Sequence, residues 1–388
     1  MRYFVLIFLW LVTSGISAQN VNMTKHRFRL SKKDFVDTIP ITIDRLQQIL
    51  IPVDIAGETR YFKLDTGAGF GTVYEGDHIK PQRVLGTVKS VDGAGVQKQV
   101  KAVVLPPFTI GSVQVSDYVM TEAPASVLSN HFGHDAVIGF ALFGQGLSAK
   151  IDCANRQLIL TDRKRFFDKE QGEVMKYRVF HFAPYLYVAP VPGVRLNTLF
   201  DTGCRDFFLL SKRDFDLSEP YYASSVSERV QGRVAIANHG VEPSDEVVFL
   251  QLKALRIGKL SLTDVATRTH QGASCIGREF LQYGSLIIKS PRKQFVFQPY
   301  TEGSCIAIGN EMADLYYVPQ DNRPSVGLIR STSPLYQAGL RQGDIILRID
   351  SKAVDFRSYM TFPWVKDKRY ILSVQDTTGV MREVEIVR

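Results

Sequence analysis

The sequence is short of the residue patterns that mark the commonest catalytic and metal sites. Its four cysteines, Cys153, Cys204, Cys275 and Cys305, include no C-x-x-C pair, which removes zinc-ribbon and dithiol-redox readings. There is no H-E-x-x-H, no G-x-S-x-G and no P-loop, so zincin, serine-hydrolase and nucleotide-hydrolysing sites have no anchor. His131 and His134, in NHFGHDAV, lack a third ligand at a known spacing; no metal and no cofactor are expected. Basic residues are scattered rather than run together, so the formal charge of +8 reads as a solvated surface and not as a nucleic-acid site.

Long apolar runs are missing as well, apart from one at the start. Residues 1–18, MRYFVLIFLWLVTSGISA, place Arg2 before an apolar stretch and small residues at its end, the pattern of a cleaved export signal. No cysteine stands near its end, so lipid attachment is not expected, and no later run is long enough to span a bilayer. The reading is an exported protein of the periplasm or extracellular space, beginning near Gln19. Its 388 residues, 45% hydrophobic, allow several domains with ordinary cores.

What the sequence does contain is a repeat. Asp-Thr-Gly occurs in LDTGAGFGTVY (from Leu64) and in LFDTGCRDFFL (from Leu199). Four more landmarks recur in the same order. Gly57 and Gly193 each precede the Asp by eight residues; IGSVQVSD from Ile110 matches IGKLSLTD from Ile257; AVIGF around Gly139 matches SCIGR around Gly277; and RQLIL from Arg156 matches KQFVF from Lys293. Each copy is built from short alternating strands broken by Gly, Asp and Pro. The chain therefore carries two homologous, mainly β units, 19–165 and 166–300.

Two Asp-Thr-Gly motifs, each followed by an apolar-apolar-Gly element (Val137-Ile138-Gly139 and Cys275-Ile276-Gly277), resemble the aspartic proteases of the pepsin and retropepsin clan. The resemblance implies two β-barrel lobes in one chain, hence a monomer. It implies Asp65 and Asp201 as the catalytic pair and a peptide or protein as substrate, with Thr66, Gly67, Thr202 and Gly203 supporting the loops. Two adjacent carboxylates cannot both ionise easily, so they share a proton and can act as base and acid together. Pepsin-like enzymes commonly place Ser or Thr after the triplet; here Ala68 and Cys204 stand there. Ala68 donates nothing from its side chain and a thiol donates weakly, so activity is expected to extend toward mildly acidic or neutral pH.

Leu85 to Leu105 reads as a hairpin with Asp92, Gly93, Ala94 and Gly95 at its tip, in the position of this family's flap; Ser225 to Leu250 is the equivalent region of the second unit, and which of the two covers the site stays open. The fold resemblance also puts Cys204 and Cys275 on elements that pack together, making a disulfide between them a candidate, with Cys153 and Cys305 a weaker pairing.

After Tyr300 the repeat ends. SPLYQAGLRQGDIILRID, Ser333 to Asp350, resembles the PDZ domains of exported bacterial proteases, which implies a small α+β module over 304–388 able to take a peptide along a strand edge. Its carboxylate-binding loop has one candidate, Ile306 to Gly309. Close packing against the second unit is expected, since no linker precedes it. The function read from the sequence is a bilobed aspartic endopeptidase; the alternative is a peptide-binding scaffold of the same fold without turnover.

Overall fold

The computed structural model describes residues 21–76, 78–124, 133–237 and 239–388. Residues 1–18, read as an export signal, and His131 lie outside them. The protein is mainly β, and the alternation read from the sequence explains why. In the strand Glu58–Asp65, Phe62 and Leu64 are fully buried while Arg60 and Lys63 are not; in Leu196–Asp201, Leu196, Thr198 and Phe200 point inward. Period-two burial of this kind is what a strand with one core face requires.

The strands around the two Asp residues repeat each other in the two units. In the first, Ala136–Gly139 lies parallel to Glu58–Asp65, with Gly139 opposite Asp65, and antiparallel to Gly71–Tyr74. In the second, Cys275–Gly277 lies parallel to Leu196–Asp201, with Gly277 opposite Asp201, and antiparallel to Phe208–Ser211. Backbone conformation repeats too. Gly57 and Gly193, Asp117 and Asp264, and Arg156 and Lys293 occupy matching turns at φ of 86 and 86°, 57 and 58°, and 52 and 51°. Four of these are non-glycine residues in the left-handed region, which is uncommon.

The two units share a sheet. Val36–Pro40, Gln157–Thr161 and Ser148–Asp152 pair in series and join Gly284–Lys289, Gln294–Pro299 and Glu173–Phe180 of the second unit in one antiparallel sheet. The core follows this shared sheet. Phe140 of the first unit meets Tyr177 edge-on, Tyr177 lies 4.5 Å from Phe295, and Phe295 lies 5.1 Å from Phe200. Aromatic packing therefore runs from one unit into the other, immediately behind the two Asp-bearing strands.

The C-terminal region differs from expectation at its start. Cys305–Ala307 pairs in parallel with Leu260–His270 of the second unit, so Ile306 to Gly309 is not a free loop waiting for a carboxylate. The reason is local: Ile306 and Ile308 are buried in the second unit's core, and their alternation makes the segment a strand. A separate sheet begins at Leu315–Gln320 and continues through Arg323–Ile329, Ile345–Ile349, Arg369–Gln375 and Met381–Val387. Two short helices, Pro334–Gln337 and Phe356–Met360, are capped by Ser333 and Asp355. This module packs closely on the second unit. Leu328 joins Val234, Val247 and Phe249 in one cluster, Arg233 N–H donates to the Gly327 carbonyl at 2.9 Å, and Arg330 pairs with Glu228 at 2.6 Å.

Candidate active site

Both Asp-Thr-Gly triplets lie at the ends of their strands, and the two loops meet across the units. Thr66 and Thr202 are fully buried. Each hydroxyl donates to a backbone carbonyl of the other loop, Thr66 to Phe200 at 2.7 Å and Thr202 to Leu64 at 2.8 Å. Each also accepts the other's N–H at 3.0 Å. Threonine satisfies both demands because its hydroxyl is donor and acceptor at once.

The glycines that follow are dictated by the opposite carboxylate. A methyl group at Gly67 would overlap the Asp201 carboxyl carbon, and one at Gly203 would overlap the Asp65 carboxyl. Gly139 and Gly277 are equally constrained from behind. A side chain at Gly139 would strike the Ala68 and Gly69 carbonyls, and one at Gly277 those of Cys204 and Asp206. Phe140 N–H then donates to Ala68 O at 2.8 Å and Arg278 N–H to Cys204 O at 2.9 Å, which ties each loop to its threading strand.

Asp65 and Asp201 are hydrogen-bonded to each other through their side chains. Asp65 Oδ1 also accepts the Ala68 N–H at 2.9 Å, while Asp201 Oδ1 accepts those of Gly203 at 2.8 Å and Cys204 at 3.2 Å. The environment separates them. Burial pushes the Asp65 carboxyl up, but the Lys63 charge, the Ala68 N–H and the hydrogen bonds from Asp201 and Lys63 outweigh it and leave the group below its ordinary value. For Asp201, burial and the neighbouring Asp65 charge dominate, and the carboxyl is pushed up to about 7. One proton on the pair, held on the Asp201 side, follows from these directions.

Lys63 was not singled out from the sequence. Its Nζ lies 3.3 Å from Asp65 Oδ2 and 3.4 Å from the Gly203 carbonyl oxygen. Aligning the two copies exposes it, because the matching position two residues before Asp201 is Leu199. Arg278 was missed likewise: its guanidinium donates to Gly203 O at 3.2 Å and to Leu46 O of the first unit.

The expected hairpin is present as Arg83–Val91 and Gln97–Val104, and its tip reaches the second unit. Asp92 Oδ1 organises the tip by accepting the N–H groups of Ala94 at 3.1 Å and Val96 at 2.9 Å. Its Oδ2 accepts the His239 N–H at 2.6 Å, and Ser90 Oγ shares a 2.9 Å hydrogen bond with His239 Nε2. Ala94 is buried, the Gly93 carbonyl presses on Gly272, and Gly95 approaches the Gln271 carbonyl. Both regions considered as covers thus contribute to one contact.

Neither expected disulfide is formed: all four cysteines are free thiols. Cys204 and Cys275 do stand together, with the sulfurs hydrogen-bonded rather than covalently joined, and that contact and burial push the Cys275 thiol well up. Among the described residues no group of three or more His, Cys, Asp or Glu is placed to hold a metal ion.

No protein-family model matches the chain, and no curated protein matches it. Among solved structures it is similar to an aspartic proteinase from Irpex lacteus, at 13% identity and a TM-score of 0.42, over 68% of this chain and 97% of that one. Conglutin gamma, a basic 7S globulin from lupine seeds, gives 10% and 0.41 over 70% and 96%; the basic 7S globulin from soybean gives 9% and 0.42 over 71% and 99%. Overlaps at this level fix neither family nor activity.

Proposed function

We propose that the chain is an aspartic-type endopeptidase in which Asp65 and Asp201 share one proton and direct a water onto a peptide carbonyl. The observation that carries this reading is the interlocking of the two loops, each glycine lying against the opposite carboxylate while the two carboxyls are hydrogen-bonded. Two buried acids pressed together are unfavourable, and this fold holds them there with reciprocal threonine bonds.

The chemistry balances within the pair. The ionised carboxylate takes a proton from water as the water oxygen bonds to the carbonyl carbon, and the protonated carboxyl gives its proton to the carbonyl oxygen. When the C–N bond breaks, the nitrogen leaves with a proton from the acid formed in the first step, the gem-diol returns one to the other carboxylate, and the pair again carries one proton.

The hairpin tipped by Asp92 to Gly95 serves as the cover over a bound peptide, opening from its contact with His239. The C-terminal module is read as PDZ-like, binding peptide or regulating access. Its edge strand Leu315–Gln320 and helix Phe356–Met360 border a cavity of about 620 Å³ that Arg205 and Asp206 of the Asp201 loop also line, so a chain added to that edge lies beside the second unit. Export and a monomeric state complete the reading.

The test is cleavage of a mixed peptide library by the wild type and by Asp65→Asn and Asp201→Asn. Internal cuts by the wild type alone support the endopeptidase. A wild type that binds peptides and cuts none would support the scaffold reading.

A further inference from the structure

The two units present their carboxylates through near-identical loops, so something outside those loops must decide which acid holds the proton. The threonine bonds are reciprocal, and backbone N–H groups reach both carboxylates. The difference lies one step back on the strands. A residue two positions before another on a strand faces the same side; in the first unit that residue is Lys63 and in the second it is Leu199.

Lys63 is placed to act. Its ammonium pairs with Asp65 at 3.3 Å, and only 17% of either side chain is exposed. Its second contact, the Gly203 carbonyl, belongs to the Asp201 loop, so the charge is held between the two halves rather than free to swing into solvent. Other charged or titratable groups of the Asp201 side are engaged elsewhere or neutral. Arg278, a second cation at that loop, spends its two terminal nitrogens on the carbonyls of Gly203 and Leu46, and Arg205, Asp206 and Glu279 line the cavity beyond the loop. Tyr185 faces Asp201 and is held neutral by burial and by that acid's charge. Cys275 is held neutral by its bond to Cys204 and by burial.

We propose that Lys63 is the positioning residue that fixes the shared proton on Asp201, keeping Asp65 ionised as the base toward water and leaving Asp201 as the acid toward the carbonyl. The proposal rests on the endopeptidase reading for its chemical meaning, but its electrostatic content is independent of turnover. Loss of the ammonium raises both carboxyls, because the cation favours the charged form of each; an opposite charge within about 4–6 Å is worth roughly one pH unit or more.

The experiment compares wild type, Lys63→Gln, Lys63→Met and Lys63→Arg by the pH dependence of kcat/KM on one peptide drawn from the library. In parallel, the Asp65 and Asp201 carboxyls are titrated by carbon NMR, which reads the pair whether or not a variant turns over. In the Gln and Met variants the Asp65 midpoint and the acid limb of the profile are expected to move up by about one pH unit or more while the Asp201 midpoint moves less, so that the two draw together; with Arg both stay near wild type. Unchanged midpoints in folded Lys63→Gln overturn the proposal and leave the endopeptidase reading standing. Full activity in Asp65→Asn or Asp201→Asn overturns that reading instead.

Discussion

Thr66 and Thr202 hold each other's loop by the same pair of bonds, hydroxyl to the opposite strand's carbonyl and backbone N–H to the opposite hydroxyl. Because both are fully buried, Thr→Val at either position removes two hydrogen bonds and strands the partner groups away from water. Each loss of this kind costs about 1–3 kcal/mol. Thr66→Val and Thr202→Val should each lower stability by roughly 2–6 kcal/mol in urea unfolding and depress kcat more than KM. Wild-type stability in either variant would mean that the interlock is not what joins the loops.

Gly67→Ala and Gly203→Ala carry a different expectation. The added methyl meets the opposite carboxylate rather than a core side chain, so the cost falls on the geometry of the pair. Displacement of a reacting group by about 1 Å is worth on the order of a hundredfold in rate. Each variant should remain folded by circular dichroism and lose at least about that factor in kcat/KM.

Stability should depend on pH through two groups of opposite sign. The folded Asp201 carboxyl, at about 7, lies above the unfolded value of about 3.9. Its contribution is therefore complete below that unfolded value and is lost as pH rises through 7. His270 behaves in reverse. Burial, reinforced by Arg268, lowers it to about 4 while its Nε2 bonds the Ala273 carbonyl; its contribution is complete above the unfolded value of about 6.5 and is lost as pH falls through 4. Between pH 4.5 and 6.5, Asp201→Asn should make stability rise more steeply with pH than in wild type, and His270→Asn less steeply. Parallel curves for all three proteins in urea titrations would contradict both assignments.

Removing the Asp92 carboxylate should disturb the proposed cover and spare the fold. Asp92→Ala frees the N–H groups of Ala94, Val96 and His239 together, at the half-buried tip of a hairpin. The expected result is a fall in kcat/KM with a change in stability of about 1 kcal/mol or less, and faster limited proteolysis at residues 92–95. Unchanged kinetics would remove the hairpin from the proposed mechanism.

The sequence disclosed those features that repeat or that local chemistry fixes. The Asp-Thr-Gly loops, the threading glycines and the turn residues Asp117 and Asp264 were visible because two copies display the same physical demand. The stretch Ser333 to Asp350 marked the C-terminal module, but its helix caps Ser333 and Asp355 were not read from the sequence. Pairing between distant segments was not. Nothing near Val36–Pro40 announces that it will join Gln157–Thr161, and nothing near Asp92 announces His239, 147 residues away. Ile306 to Gly309 was misjudged because a short segment does not reveal which strand it will join. Lys63 shows the remaining gap: its meaning depends on Gly203 and Asp65 together, and only the contrast with Leu199 marks it in the sequence.

The central claim is that Asp65 and Asp201 form one catalytic unit. Its most direct test is kcat/KM on a single cleaved peptide for wild type, Asp65→Asn, Asp201→Asn and the double variant, with folding checked by thermal melting. Groups that act as a unit lose nearly everything when either is removed, so each single variant should fall to background and the double variant no further. A single variant that keeps wild-type cleavage would contradict the account.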